Sequence, residues 1–334
     1  MNGMQWRLVY AVGLLLGSGG ANAQSEIYGN TDLVTVCIGV TDQNGHVIED
    51  LNTGDFAVTE DGKTQKVWTL LFRKLDIDEP LPEIPATHPA ATAAAAWPPP
   101  DKLEHRRLLA MLFDFSAMAT PDQASVRESA VNFIRHGMKP ADLVIVMAQT
   151  SGHMEVLQDV TDDRAALEAA VMRVDAGIAN LESAVLNASR KLTTIETACR
   201  RLSSMPLLGN KALLYFAERF PLEAGYNRTA LANIANACGR ANTAIYPIRA
   251  ANDSLTRLVA ATGGSIFPRG SDMTSSIKLA RDNIGSHYVL GYFSTNMRDD
   301  GGYRSVNVNL TRSGARLDYP HGYFANSYFW SFRR

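Results

Sequence analysis

Apolar and polar residues are arranged differently in the two halves of this chain. Near the start they alternate: Val34, Val36, Ile38 and Val40 fall on one face of a strand that ends in the turn Asp42-Gln43-Asn44-Gly45. Val47, Leu51, Phe56 and Val58 follow, and Glu60-Asp61-Gly62-Lys63 is a second hairpin signal ahead of a strand over Gln65 to Phe72. This pattern predicts a small β-sandwich-like module over residues 24–78. Further on the apolar residues come in blocks. Leu108 to Phe115, Leu143 to Ala148, Ala212 to Phe216 and Thr243 to Ile248 read as strands. Helical spacing separates them, with Val126, Ala130, Phe133, Ile134 and Met138 in one helix and others over Asp163 to Val174, Leu181 to Leu202 and Leu231 to Cys238. Continuous apolar strands alternating with helices predict a doubly wound, mostly parallel α/β sheet covered on both faces, over residues 102–325. Thr120-Pro121-Asp122-Gln123 is placed to start the first of these helices with a capping box. Helices over Leu255 to Thr262 and Met273 to Ile284 come next. Strands over Tyr288 to Phe293 and Val306 to Leu310 flank Asp299-Asp300-Gly301-Gly302 and read as a hairpin extending one edge of the sheet.

Between the two patterns, residues 79–101 hold seven of the chain's 14 prolines and a run of alanines, the composition of a semi-rigid linker or long surface loop. The N-terminus reads as a secretory signal peptide over residues 1–23, with Arg7, an apolar run from Leu8 to Leu16 and a cleavage site at Ala21-Asn22-Ala23. The expected location is therefore periplasmic or extracellular. No later segment has the length of a membrane span, so a stable span after signal cleavage is not expected. Export permits oxidation of two of the three cysteines. Cys199 and Cys238 are the candidate pair; buried thiols are the alternative.

Composition removes some function classes. The 334 residues are 46% hydrophobic and 20% charged, enough apolar matter for real cores. A net charge of −2 offers no basic footprint for nucleic acid. The seven histidines are scattered, and the mature chain holds no His-Glu-x-x-His, Gly-x-Ser-x-Gly or Walker string. A hydrolase with Ser116 as nucleophile would need His153 or His287 brought in from afar. Gly263-Gly264 fits a tight turn better than a phosphate loop. The last residues, 326–334, form an aromatic tail ending in Arg333-Arg334; Tyr323 and Phe324, just before it, are expected to close the core.

In an open parallel sheet, ligands bind beyond the carboxyl ends of the strands. There the first strand presents Asp114 and Ser116, in Leu112-Phe113-Asp114-Phe115-Ser116-Ala117-Met118. Oxygen donors at such a mouth suit a hard cation such as Mg²⁺; capping of the following turn is the alternative. The Asp-x-Ser string resembles the von Willebrand factor A domain. The segments VTDQNGHVIEDLNTGDFAVTEDGKTQKV, ALLYF, ATGGSIF, HYVLGYF and HGYF resemble the von Willebrand A-related family common in acidobacteria. The resemblance implies a non-enzymatic, exported adhesion or protein-binding module. In that family an Asp-x-Ser-x-Ser motif, with a distant Thr and a distant Asp, holds a divalent cation that engages a partner protein's carboxylate. Onto this chain it carries Asp114 and Ser116, with Glu218 at the distant acidic position. Met118 stands at the second Ser position, where a thioether is a poor ligand for a hard ion, and Ala176 to Leu181 contains no Thr. The expectation is thus a weak divalent-cation site at Asp114, Ser116 and Glu218. The alternative is a metal-free interaction scaffold with a degenerate site.

Overall fold

A computed structural model describes residues 33–43, 46–75, 81–86, 97–103, 105–150, 153–174, 184–207, 211–218, 228–249, 253–267, 270–298, 300 and 302–325. These belong to one compact unit, Asp32–Arg334. The expected signal peptide and aromatic tail lie outside the described residues, as does the stretch from Ala176 to Leu181. Among the described residues no helix is long and apolar enough to cross a membrane.

Four strands of the second half fold as its blocks predict, and a fifth, over Met154–Thr161, is one that the pattern does not show. Strands β5 (Arg107–Asp114), β6 (Asp142–Gln149), β7 (Met154–Thr161), β8 (Lys211–Ala217) and β9 (Thr243–Ile248) form one sheet in the order β7-β6-β5-β8-β9. All neighbours are parallel except the β6–β7 pair. Strict alternation along β5 sorts its side chains. Leu109, Met111 and Phe113 pack with helices α1 (Thr120–Asn132), α2 (Arg164–Met172) and α6 (Met273–Asn283). Leu108, Ala110 and Leu112 pack with α3 (Ala184–Ser203), α4 (Arg228–Arg240) and α5 (Asp253–Thr262). This is a doubly wound α/β layer, with strand order reversing at β5 and β8. Cys199 of α3 and Cys238 of α4 are disulfide-bonded, closing the question that their spacing leaves open.

The start of α1 differs from its expected capping box. Thr120 is already helical, Ala119 is the extended cap residue, and no side chain caps the turn. The Gln123 side chain instead donates to the Met118 carbonyl at 2.8 Å. The helix then widens into a π turn over Phe133–Gly137.

The alternating strands form two further four-stranded sheets. One runs in the order β12-β1-β10-β4, from β1 (Leu33–Thr41), β4 (Val67–Arg73), β10 (His287–Phe293) and β12 (Arg316–Asp318). The other runs β13-β11-β2-β3, from β2 (Phe56–Glu60), β3 (Lys63–Gln65), β11 (Tyr303–Leu310) and β13 (Gly322–Phe324). The expected Asp61-Gly62 hairpin joins β2 to β3, with both central residues at positive φ, 48° and 79°. Two expectations need correction here. First, β10 and β11 do not extend the α/β sheet. The edge of β9 is covered by the end of α5 and the chain after it: Thr262 Oγ1 accepts from the Ile245 amide at 3.2 Å, and Gly264 runs so close to Ile245 that a Cβ would not fit. Thus the Gly-Gly pair serves backbone approach. Second, the N-terminal strands do not close a sheet alone: β1 and β4 pair with β10, and β2 pairs with β11. The reason is burial. Val34, Val36, Ile38, Phe56 and Val58 cover their apolar faces with Tyr288, Leu290, Tyr292, Val306 and Val308. Tyr323 packs against this core, and its hydroxyl donates to the buried Glu60, as do those of Tyr292 and Ser294.

The described parts of residues 79–101 are also more than a spacer. Ile84 is buried against the α3 face, its amide donates to Asp162, and Arg106 donates to the Pro82 carbonyl. Trp97 donates to Ser204 Oγ at 3.0 Å.

Candidate functional site

The alternation that sorts β5 also decides what Asp114 meets. As the last residue of β5 it shares the face of Leu108, Ala110 and Leu112, and so points toward α3 and toward Tyr215 on the neighbouring β8. Asp114 is fully buried. Its Oδ1 accepts from Ser116 Oγ at 2.6 Å and from the Ser116 amide at 3.1 Å. Its Oδ2 accepts from the Tyr215 hydroxyl at 2.7 Å and lies 3.0 Å from Lys191 Nζ on α3. Lys191 is itself 1% exposed. Burial and the Asp114 carboxylate together push the Tyr215 phenol well above its usual range, so it stays protonated and donates.

The other expected ligands are placed differently. Met118 is buried in the core on the α1 face, away from the α3 face that Asp114 occupies. Glu218 follows β8 and is paired with Arg249, Nε to Oε2 at 2.7 Å. Arg249 in turn reaches Asp122 in the first turn of α1 at 2.8 Å. The side chains of this second cluster are 30–35% exposed, so Asp122, Arg249 and Glu218 form the solvent-facing rim of the mouth. Arg249 adopts φ +74°, an uncommon conformation for a residue with a Cβ.

This donor set does not fit a divalent cation. A carboxylate offers about four lone-pair sites, and Asp114 fills them with two contacts to each oxygen. An ammonium ion occupies the cation's side of the carboxylate, and a second positive charge next to it would be repelled. Among the described residues there is no group of three or more His, Cys, Asp or Glu able to hold a metal ion. The structure brings Asp114 and Ser116 together as the sequence predicts, but leaves Glu218 in a separate ion pair.

Lys191 is the residue that sequence reasoning misses. It stands one, two and three turns before Ile195, Ala198 and Leu202, within the apolar stripe of α3. A lysine in such a stripe is the available signal, since a buried charge needs a buried partner. The hydrolase alternative finds no such assembly. Ser116 Oγ donates to Asp114, His287 is buried at the start of β10 beside the Gly285 carbonyl, and His153 lies beside Thr150.

No protein-family model matches the chain, and no curated protein matches it in sequence. Solved structures similar to it include an aerotolerance-related membrane protein from Bacteroides fragilis, at 14% identity and TM-score 0.39, covering 54% of this chain and 98% of that one. BatB from Bacteroides thetaiotaomicron matches at 12% identity and TM-score 0.38, over 53% and 96%. The von Willebrand A domain of SpRpn10 matches at 15% identity and TM-score 0.33, over 52% and 93%. These scores are low, and the fold class rests on the strand order and parallel register of the sheet itself.

Proposed function

We propose that this chain is a non-enzymatic, exported protein-binding module whose strand mouth engages a protein partner without a metal ion. One observation carries this reading: the buried ammonium of Lys191 stands against Asp114 where a cation would be needed. The positive charge is supplied by the fold, so the mouth keeps its shape in the absence of metal. The rim of Asp122, Arg249 and Glu218 then offers charged groups of both signs, exposed enough to exchange partners with another protein's side chains. Export is supported by the Cys199–Cys238 disulfide, because such bonds persist in oxidising compartments.

The test is capture of a partner from an envelope extract by the wild-type chain and by Asp122→Lys/Glu218→Lys, each with and without chelator. Capture that survives chelator and is lost in the double variant is expected. Capture that chelator abolishes, or that the double variant retains in full, contradicts the reading.

A further inference from the structure

A second site lies at the opposite end of the α/β sheet, where the N-terminal part of β9 meets the β-sandwich. There the two layers border a pocket of about 300 Å³, within the range of small-ligand sites. Exposed Met297 and Tyr303 line its mouth and buried Tyr246 and Tyr319 its depth, the concave form that small ligands use.

Its walls are apolar and aromatic, with Val36, Ala244, Tyr246 and Tyr319 among them. The Tyr319 hydroxyl is already engaged by Val308 and Asn307, which leaves its ring as the contact surface. The free thiol Cys37 also lines the pocket; burial pushes it up to about 11, so it remains protonated and adds only soft apolar surface.

The helix ends and the unpartnered oxygens of the lining share one sign, against the Arg316 charge that also acts on Asp318. The last turns of three helices meet here, with Gly239 of α4, Thr262 of α5 and Asn283 of α6 in the wall, and helix C-termini carry partial negative charge. Two side-chain oxygens of lining residues, Asp318 Oδ2 and Asn236 Oδ1, are buried with no hydrogen-bond partner among the described residues. Both are acceptors. Burial raises the Asp318 carboxyl to about 6, which leaves it ionised at neutral pH. Arg298 is the one basic residue of the lining among the described residues, and it is exposed. Buried acceptors without donors are uncommon in folded proteins.

We propose that this pocket is a binding site for a small organic cation, an amine with an apolar or aromatic body, whose ammonium group pairs with Asp318 and donates to Asn236. The tyrosine rings suit such a ligand twice over, through apolar contact with its body and through attraction of its charge to their faces.

Calorimetric titration of the full chain with three probes of similar size tests this: phenethylamine, 2-phenylethanol and 3-phenylpropanoate. Phenethylamine is expected to bind at least about tenfold more tightly than the neutral alcohol, the difference that a hydrogen bond to a charged group supplies. No binding of the anion is expected. In Asp318→Asn, checked for folding by its melting curve, the amine should fall to the level of the alcohol. Asn236→Leu, which removes the unpartnered acceptor and leaves an apolar side chain, should weaken the amine without weakening the alcohol. No amine binding at millimolar concentration, equal binding of amine and alcohol, or wild-type amine affinity in both variants would overturn the proposal.

Discussion

Lys191 Nζ lies 3.0 Å from Asp114 Oδ2, with both side chains removed from solvent. The pair joins α3 to the end of β5 and sits at the reversal of strand order, where this class of sheet binds its ligands. It makes the strand mouth a closed electrostatic unit, with each charge desolvated and answered by the other.

Removing one partner should therefore cost far more than removing both charges. Lys191→Met leaves a buried carboxylate facing only neutral donors and is expected to lose about 3–5 kcal/mol of stability. Asp114→Asn/Lys191→Met keeps the Oδ1 acceptor for Ser116, places an amide N–H that the Tyr215 hydroxyl can accept where Oδ2 stood, and removes both buried charges, so it should recover most of that loss. Urea unfolding of wild type, both single variants and the double variant gives the coupling energy. A Lys191→Met variant as stable as wild type would show that the pair contributes nothing.

The disulfide closes a loop spanning 39 residues in sequence between α3 and α4. Loop-closure entropy for that length is worth about 4 kcal/mol in the unfolded chain. Cys199→Ser/Cys238→Ser should fall in stability by up to this amount. Both sulfur-bearing residues are fully buried, so reductant alone should act slowly on the native protein. Rapid reduction without denaturant would contradict the burial.

Asp318 gives the stability a specific pH dependence. Burial raises its carboxyl from 3.8 to about 6, against the opposing effects of Arg316 and a hydrogen bond from Ser265, and Tyr246 packs within its field. Between these values the native state holds a proton that the unfolded state has lost. The group's contribution is fully present below about pH 4 and is lost as pH rises through about 6. Asp318→Asn should therefore gain stability relative to wild type as pH is raised from about 4 to about 7. Melting curves across that range check this, and a constant difference between the two proteins would contradict it.

Much of this architecture is written in local pattern. The run Thr243 to Ile248 is a strand at those same residues, and the alternation of Val34 to Val40 marks the buried face of β1. Long-range pairing is not local. Nothing around Cys37 names Val289 as its neighbour across the sheet, and so the N-terminal strands read as a module of their own. Strand β7 is half exposed at the sheet edge and carries little periodicity to read. At the mouth, Asp114 and Ser116 are legible because short polar residues end an apolar strand. Lys191 is 77 positions away and declares itself only as a flaw in a helical stripe, so its role appears once α3 is packed against β5 and β8. At the residue that the resemblance singles out, Asp114, the structure places the Lys191 ammonium.

The most direct test of a metal-independent mouth is the melting temperature of the purified chain in chelator and in millimolar Mg²⁺ or Mn²⁺. An ion that binds only the folded state raises that temperature. With Lys191 already in place, the same melting temperature is expected in all three conditions. A rise with metal that disappears in Asp114→Asn would contradict the account.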